Sequence, residues 1–149
     1  MREIQLRAWG NNEMYYFDDA DRGQWTCSID NGKIKNIDYW SAETEHECDE
    51  FEKPPILMQY TGLKDKNGKK LYEGDIIKYE EGIIQEVKFG SFTMPGSGYY
   101  DEKISAGWYL EIINYNKEKE NNYYKTICLN NDVEIIGNIY ENKDLLACA

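Results

Sequence analysis

The sequence is almost without histidine: His46 is the only one in 149 residues. Catalysis by a nucleophile with an imidazole base therefore has a single place to occur, and that place is a run of acidic residues. Proline is scarce too, three against twelve glycines, a balance that suits tight hairpins. The four cysteines, Cys27, Cys48, Cys128 and Cys148, show no C-x-x-C pairing. They read as free thiols in a reducing cytoplasm. No apolar run is long enough to cross a bilayer, so no membrane partner is expected. The opening Met1-Arg2-Glu3-Ile4 lacks the apolar stretch of a secretion signal, and a cytoplasmic location is expected. Positive charge is the last shortage, 17 Lys and Arg against 28 Asp and Glu, for a net charge of −11. An acidic surface repels phosphate backbones and anionic lipid headgroups.

Aromatic residues are plentiful. Thirteen tyrosines and four tryptophans favour strands, because rings pack well on a half-buried pleated surface. The length suits one domain or two very small ones. Ile4, Leu6 and Ala8 alternate with Glu3, Gln5 and Arg7, the period of two of a half-buried strand. Gly10-Asn11-Asn12 turns this strand into Met14-Tyr15-Tyr16-Phe17. Asn31-Gly32 and Asn67-Gly68 are strong hairpin signals, and Glu73-Gly74-Asp75 marks a further turn. Ile56-Leu57-Met58-Gln59-Tyr60, Ile76-Ile77-Lys78-Tyr79, Ile83 to Phe89, Gly107 to Ile113 and Asp132 to Tyr140 read as strands. Asn142 is placed to cap a helical turn through Leu145-Leu146. Ser41 to Lys53 is dense in carboxylates and reads as a solvated loop. It separates a β-rich part, 1–53, from a part at 54–149 whose short strands and tight turns indicate a small barrel. The fold class is mainly β, α+β at most. Residues 1–60 carry 6 basic and 13 acidic groups, a net of −7, and residues 61–149 carry 11 and 15, a net of −4.

Two blocks carry a family resemblance. Leu57-Met58-Gln59-Tyr60-Thr61-Gly62-Leu63-Lys64-Asp65-Lys66-Asn67-Gly68, followed by Tyr72-Glu73-Gly74-Asp75-Ile76, resembles the YopX protein family. So do the opening, Arg2-Glu3-Ile4 with Arg7-Ala8-Trp9, and the close, Glu134-Ile135-Ile136-Gly137-Asn138-Ile139-Tyr140-Glu141-Asn142. The resemblance implies a phage- or prophage-encoded protein. It also implies an N-terminal β-rich part that dimerises or oligomerises and an SH3-like barrel downstream. It brings no catalytic or cofactor residues with it.

Each chemical reading meets a simpler one. His46-Glu47-Cys48, with Cys27, offers zinc one loose ligand group where structural sites show two clear pairs. Asp65-Lys66-Asn67-Gly68 starts like a calcium loop, but Gly68 falls at position 4 and lysines fill positions 5 and 6. Gly96-Ser97-Gly98 lacks the strand–turn–helix context of a nucleophile elbow, and no phosphate-cradling loop ends in Lys-Ser/Thr. No catalytic, cofactor or metal residue is assigned, and no enzymatic activity is expected. Lys64, Lys66, Lys69 and Lys70 gather on one predicted hairpin with Tyr72 beside them. That is a nucleic-acid contact if Tyr72 stacks a base, or a solvated turn if the lysines only guard an edge. Trp9, Tyr15, Tyr16 and Trp25 are the rings expected at a protein interface, against the alternative of core packing. The leading expectation is a self-associating accessory module with a host or phage protein as partner. The alternatives are a nucleic-acid-binding barrel using the Lys64–Lys70 hairpin, which the overall charge disfavours, and an acidic mimic of DNA.

Overall fold

The computed structural model describes residues 5–17, 24–31, 33–40, 47–49, 51, 53–79, 82–94, 103–113, 125–126 and 133–147. Almost every element in them is an antiparallel strand, and the chain divides into two compact units, Met1–Tyr60 and Thr61–Ala149.

In the first unit, β1 (Leu6–Gly10) and β2 (Glu13–Tyr16) form a hairpin. Its two turn residues, Asn11 and Asn12, both have positive φ, 49° and 63°. Asparagine tolerates this conformation, which matches the twist of the flanking strands. The hairpin β3 (Gln24–Asp30) and β4 (Lys33–Trp40) turns at Asn31, φ 49°. A short strand, β5 (Glu47–Asp49), pairs with Ile37–Tyr39 of β4. The acidic segment is thus not loop throughout: three of its residues gain a backbone ladder that its charge pattern conceals. The first residues of β6 (Ile56–Lys64) pair with β1, so Tyr15, Ala8 and Leu57 stand in one cross-strand row. Ala8 and Tyr15 meet Ile34 and Ile37 of β4 in a buried cluster flanked by Phe17, Cys27, Phe51 and Leu57. Phe51 meets the Tyr15 ring edge-on at 5.8 Å. Gly10 leaves room for it, since a Cβ there would lie 2.7 Å from the Phe51 ring.

The second unit takes the last residues of β6, then β7 (Lys70–Tyr72), β8 (Asp75–Lys78), β9 (Ile84–Met94), β10 (Lys103–Ile112), β11 (Lys125–Thr126) and β12 (Glu134–Asn138). Helix α1 (Lys143–Ala147) follows. The main sheet has the order β11-β10-β9-β8-β12, and β7 lies beside β6. The Thr61 hydroxyl donates to the Leu71 carbonyl at 2.9 Å. Leu71, Ile77, Val87, Leu110 and Val133 are fully buried together, with Tyr79, Trp108 and Ile135 packed around them. At roughly 1.5–3 kcal/mol for each large aliphatic side chain, this cluster is the main source of the unit's stability.

Candidate functional site

The densest polar arrangement in the described residues is built on the block 65–75 and the segment 133–142. Asp65 is buried. One of its carboxylate oxygens accepts from the amides of Asn67 (2.9 Å) and Lys69 (2.8 Å), and the other from the amide of Ile135 in β12 (3.2 Å). The Asp65 amide itself donates to the Lys69 carbonyl, and the Lys66 amide to the Val133 carbonyl. Burial opposes ionisation of this carboxyl. The backbone amides outweigh it and hold the pKa below the ordinary aspartate value. Asp65 therefore spends its lone pairs on the turn and on β12. The Asn67-Gly68 signal marks the turn correctly, with Gly68 at φ 80°, but the connection spans residues 65–69 and is closed by Asp65.

Two further buried polar residues act the same way. Asp75 accepts from the Tyr72 amide at 2.8 Å, which closes the corner between β7 and β8 where Gly74 has φ 78°. The Asn138 side-chain oxygen accepts from the amides of Tyr140 (3.0 Å) and Glu141 (2.9 Å). The Asn142 side chain accepts from the Asn138 amide at 3.0 Å, so it binds back to β12 and caps no helical amide; the Leu145 amide donates to the Asn142 main-chain carbonyl. Gly137 allows this close approach, because a Cβ there would lie 2.6 Å from Asn142 Cγ.

The lysines surround this cluster. Lys64, Lys66 and Lys69 are exposed and Lys70 is half-buried. Lys66 pairs with Glu134 of β12 at 2.7 Å. Tyr72 is only 2% exposed, so it offers no stacking face to a base. Of the four rings expected at an interface, Tyr15 is buried in the core. Trp9 and Tyr16 are half-buried, and Trp9 stands in a cross-strand row with Met14 and Ile56. The Trp25 side chain lies outside the described residues, as do His46 and the side chain of Cys48. Cys27 is a free thiol whose pKa burial pushes up. Among the described residues no group of three His, Cys, Asp or Glu is placed to hold a metal ion, and no helix is long and apolar enough to cross a membrane.

Other surface features escape sequence reasoning. Among the described residues, Ile29, Ile56, Leu63 and Phe89 are the large apolar side chains open to solvent. Phe89 shares its strand face with the buried Val87, so alternation predicts burial; it lies beyond the end of the core, edge-on to Trp108 at 5.0 Å. On the opposite face Lys88 bonds Glu111 and lies 3.5 Å from Glu86. Burial pushes the Glu86 pKa up against the pull of Lys88. Lys88 is held above its ordinary value: burial opposes its charge, but the bond to Glu111 and the field of both carboxylates prevail. The cross-strand Glu86↔Glu111 pairing creates this cluster, and only the register of β9 on β10 could have shown it.

These features define an antiparallel β protein of two units, in which the buried Asp65, Asp75 and Asn138 are engaged by backbone turns. The chain belongs to the YopX protein family, whose model matches residues 5–147. It is similar to a solved structure, the crystal structure of protein EF1440 from Enterococcus faecalis. The two are 25% identical over 98% of this chain and 99% of that one, with a TM-score of 0.49. No protein of curated function matches the chain.

Proposed function

We propose that this protein is a non-enzymatic accessory module of a phage or prophage that self-associates through its first unit and presents its second unit, an SH3-like barrel, to a host or phage protein. The observation that carries this is the exposure of Ile29 and Ile56, at 50% and 48%, in the more acidic part of the chain. Large apolar groups held open on a charged unit are what a protein partner, including a second copy, can cover. The occupation of Asp65, Asp75 and Asn138 by backbone amides supports the non-enzymatic part, since those groups are committed to the fold. Sedimentation velocity of the full chain over a wide concentration range tests the self-association. A concentration-dependent shift to dimer or larger is expected, and a strictly monomeric boundary at the highest concentration overturns it.

The nucleic-acid alternative retains the exposed Lys64 and Lys69, but Lys66 is paired with Glu134 and Tyr72 is buried. The DNA-mimic alternative retains the net charge alone.

A further inference from the structure

Asn-Gly pairs carry a chemistry of their own. The glycine amide nitrogen, unhindered by a Cβ, can attack the asparagine side-chain carbonyl carbon. The new C–N bond closes a five-membered succinimide. The Cγ–Nδ2 bond breaks, and ammonia leaves with the proton that the glycine nitrogen gave up. Water then opens the ring at either carbonyl and gives aspartate or isoaspartate. The chain holds two such pairs, and both continue with lysine: Asn31-Gly32-Lys33 and Asn67-Gly68-Lys69. The reacting tripeptide is the same, so what distinguishes the two is their surroundings. Asn67 sits in the connection that Asp65 organises. Its main-chain amide donates to Asp65 Oδ1 at 2.9 Å, and its carboxamide donates a further hydrogen bond to the same carboxylate. The Gly68 amide donates to the Asp65 carbonyl at 2.9 Å. Nucleophile and electrophile are both tied to one residue. Asn31 is exposed, has φ 49°, and follows the last ladder pair of its hairpin, Asp30↔Lys33. Among the described residues no hydrogen bond holds its carboxamide.

We propose that Asn31 is a site of spontaneous deamidation and that Asp65 shields the equivalent Asn67 from the same reaction. This stands apart from the self-association reading. At Asn67 the succinimide is reached only by breaking bonds to Asp65. A hydrogen bond to a charged group is strong enough to slow such a step roughly tenfold or more. At Asn31 the reaction meets no such barrier. Either product places a new carboxylate at the tip of the β3–β4 hairpin, in the part of the chain that is already the more acidic. Isoaspartate also lengthens the backbone by one atom, which a tight turn closed by Asp30↔Lys33 does not accommodate. The hairpin that carries Ile34 and Ile37 into the buried cluster then loosens from its tip.

Peptide mapping by mass spectrometry, on the full chain kept at mildly alkaline pH and sampled over time, follows both sites in one tube. In the folded protein Asn31 is expected to convert roughly tenfold or more faster than Asn67, and in denaturant the two rates are expected to converge. Folded-state rates far below the denatured ones at both positions overturn the Asn31 site. Folded-state rates close to the denatured ones at both positions overturn the shield at Asn67, as does a difference that persists in denaturant. Asp65→Ala, with unchanged circular dichroism as the check on folding, is expected to raise the Asn67 rate and leave the Asn31 rate as it was. An unchanged Asn67 rate overturns the role of Asp65. If Asp65→Ala unfolds, Asp65→Asn decides: it keeps the shape and an acceptor oxygen but loses the charge. It is expected to raise conversion at Asn67 by a smaller factor, and no rise counts against the shield.

Discussion

Asp65 shows how one carboxylate can organise a segment that otherwise reads as a lysine patch. Its oxygens satisfy the amides of Asn67, Lys69 and Ile135. Asp65→Ala leaves those donors without the acceptor. A buried polar group left unsatisfied costs about 1–3 kcal/mol, and a loss on the order of 3 kcal/mol is expected in urea unfolding, with a smaller loss for Asp65→Asn. The pH dependence has two signs. The Asp65 pKa is lowered in the folded state, so its contribution is present above the unfolded-state value and is lost as pH falls through the folded one. The Glu86 pKa is raised, so the folded state binds the extra proton between the unfolded value and the folded one, and stability rises as pH falls through that window. Acidification from neutral pH is therefore expected to stabilise first through Glu86 and destabilise later through Asp65. Glu86→Gln should abolish the early rise, and thermal melting across pH reads both. Gly137→Ala forces the Asn142 side chain off the Asn138 amide, with an expected loss of about 1–3 kcal/mol from overpacking.

At the scale of elements, alternation succeeded where a strand has one face inward along its whole length. The β1–β2 hairpin is a partial example: Ala8 and Tyr15 are buried and Asn11-Asn12 turn, but Arg7, on the face that alternation gives to solvent, is only 3% exposed. It failed where a strand outruns its core. In β9, Val87 is buried and Phe89, on the same face, is 57% exposed. Leu110→Ala, at the Val87 cross-strand position, is expected to cost about 2–5 kcal/mol. Phe89→Ala should cost about 1 kcal/mol, chiefly the ring contact with Trp108. Equilibrium unfolding of the two variants compares them directly, and similar losses would show that the core extends further along β9. β5 was hidden for a different reason: Glu47-Cys48-Asp49 has no strand-like pattern, and its partner β4 decides its conformation. Beyond Phe89, Gly90 faces Gly107 across the ladder. Phe92 and Tyr109 stack at 5.3 Å across the two strands, and the Tyr109 ring lies 3.7 Å from where a Gly90 Cβ would stand.

The whole molecule carries a charge of −11, and salt separates the functional readings. Two acidic copies repel over a distance set by the Debye length, which shrinks from about 30 Å at 0.01 M to about 8 Å at 0.15 M ionic strength. Self-association through apolar groups such as Ile29 and Ile56 is thus expected to tighten as salt rises over that range. Binding of single-stranded nucleic acid through Lys64 and Lys69 would weaken instead. Analytical ultracentrifugation and fluorescence anisotropy at both ionic strengths distinguish the two, and a self-association that weakens with salt would point to an ion-paired interface.

Composition, alternation and turn residues alone determined that this chain is β-rich, where several of its strands turn and that its acidity is heaviest before residue 60, because these depend on local backbone preference and on counted charge. The family match was legible for a related reason: the blocks 56–77 and 132–146 carry the residues that close turns, among them Asp65, Gly74, Asp75, Gly137 and Asn138, and turn chemistry is written locally. The tertiary structure decided what those residues touch. It made Asp65 of the predicted hairpin turn a tie to β12, seventy residues away, buried Tyr72 and Tyr15, and paired Lys66. Burial and pairing depend on which strands lie side by side, and that is set by packing between segments distant in the chain, which no local pattern records.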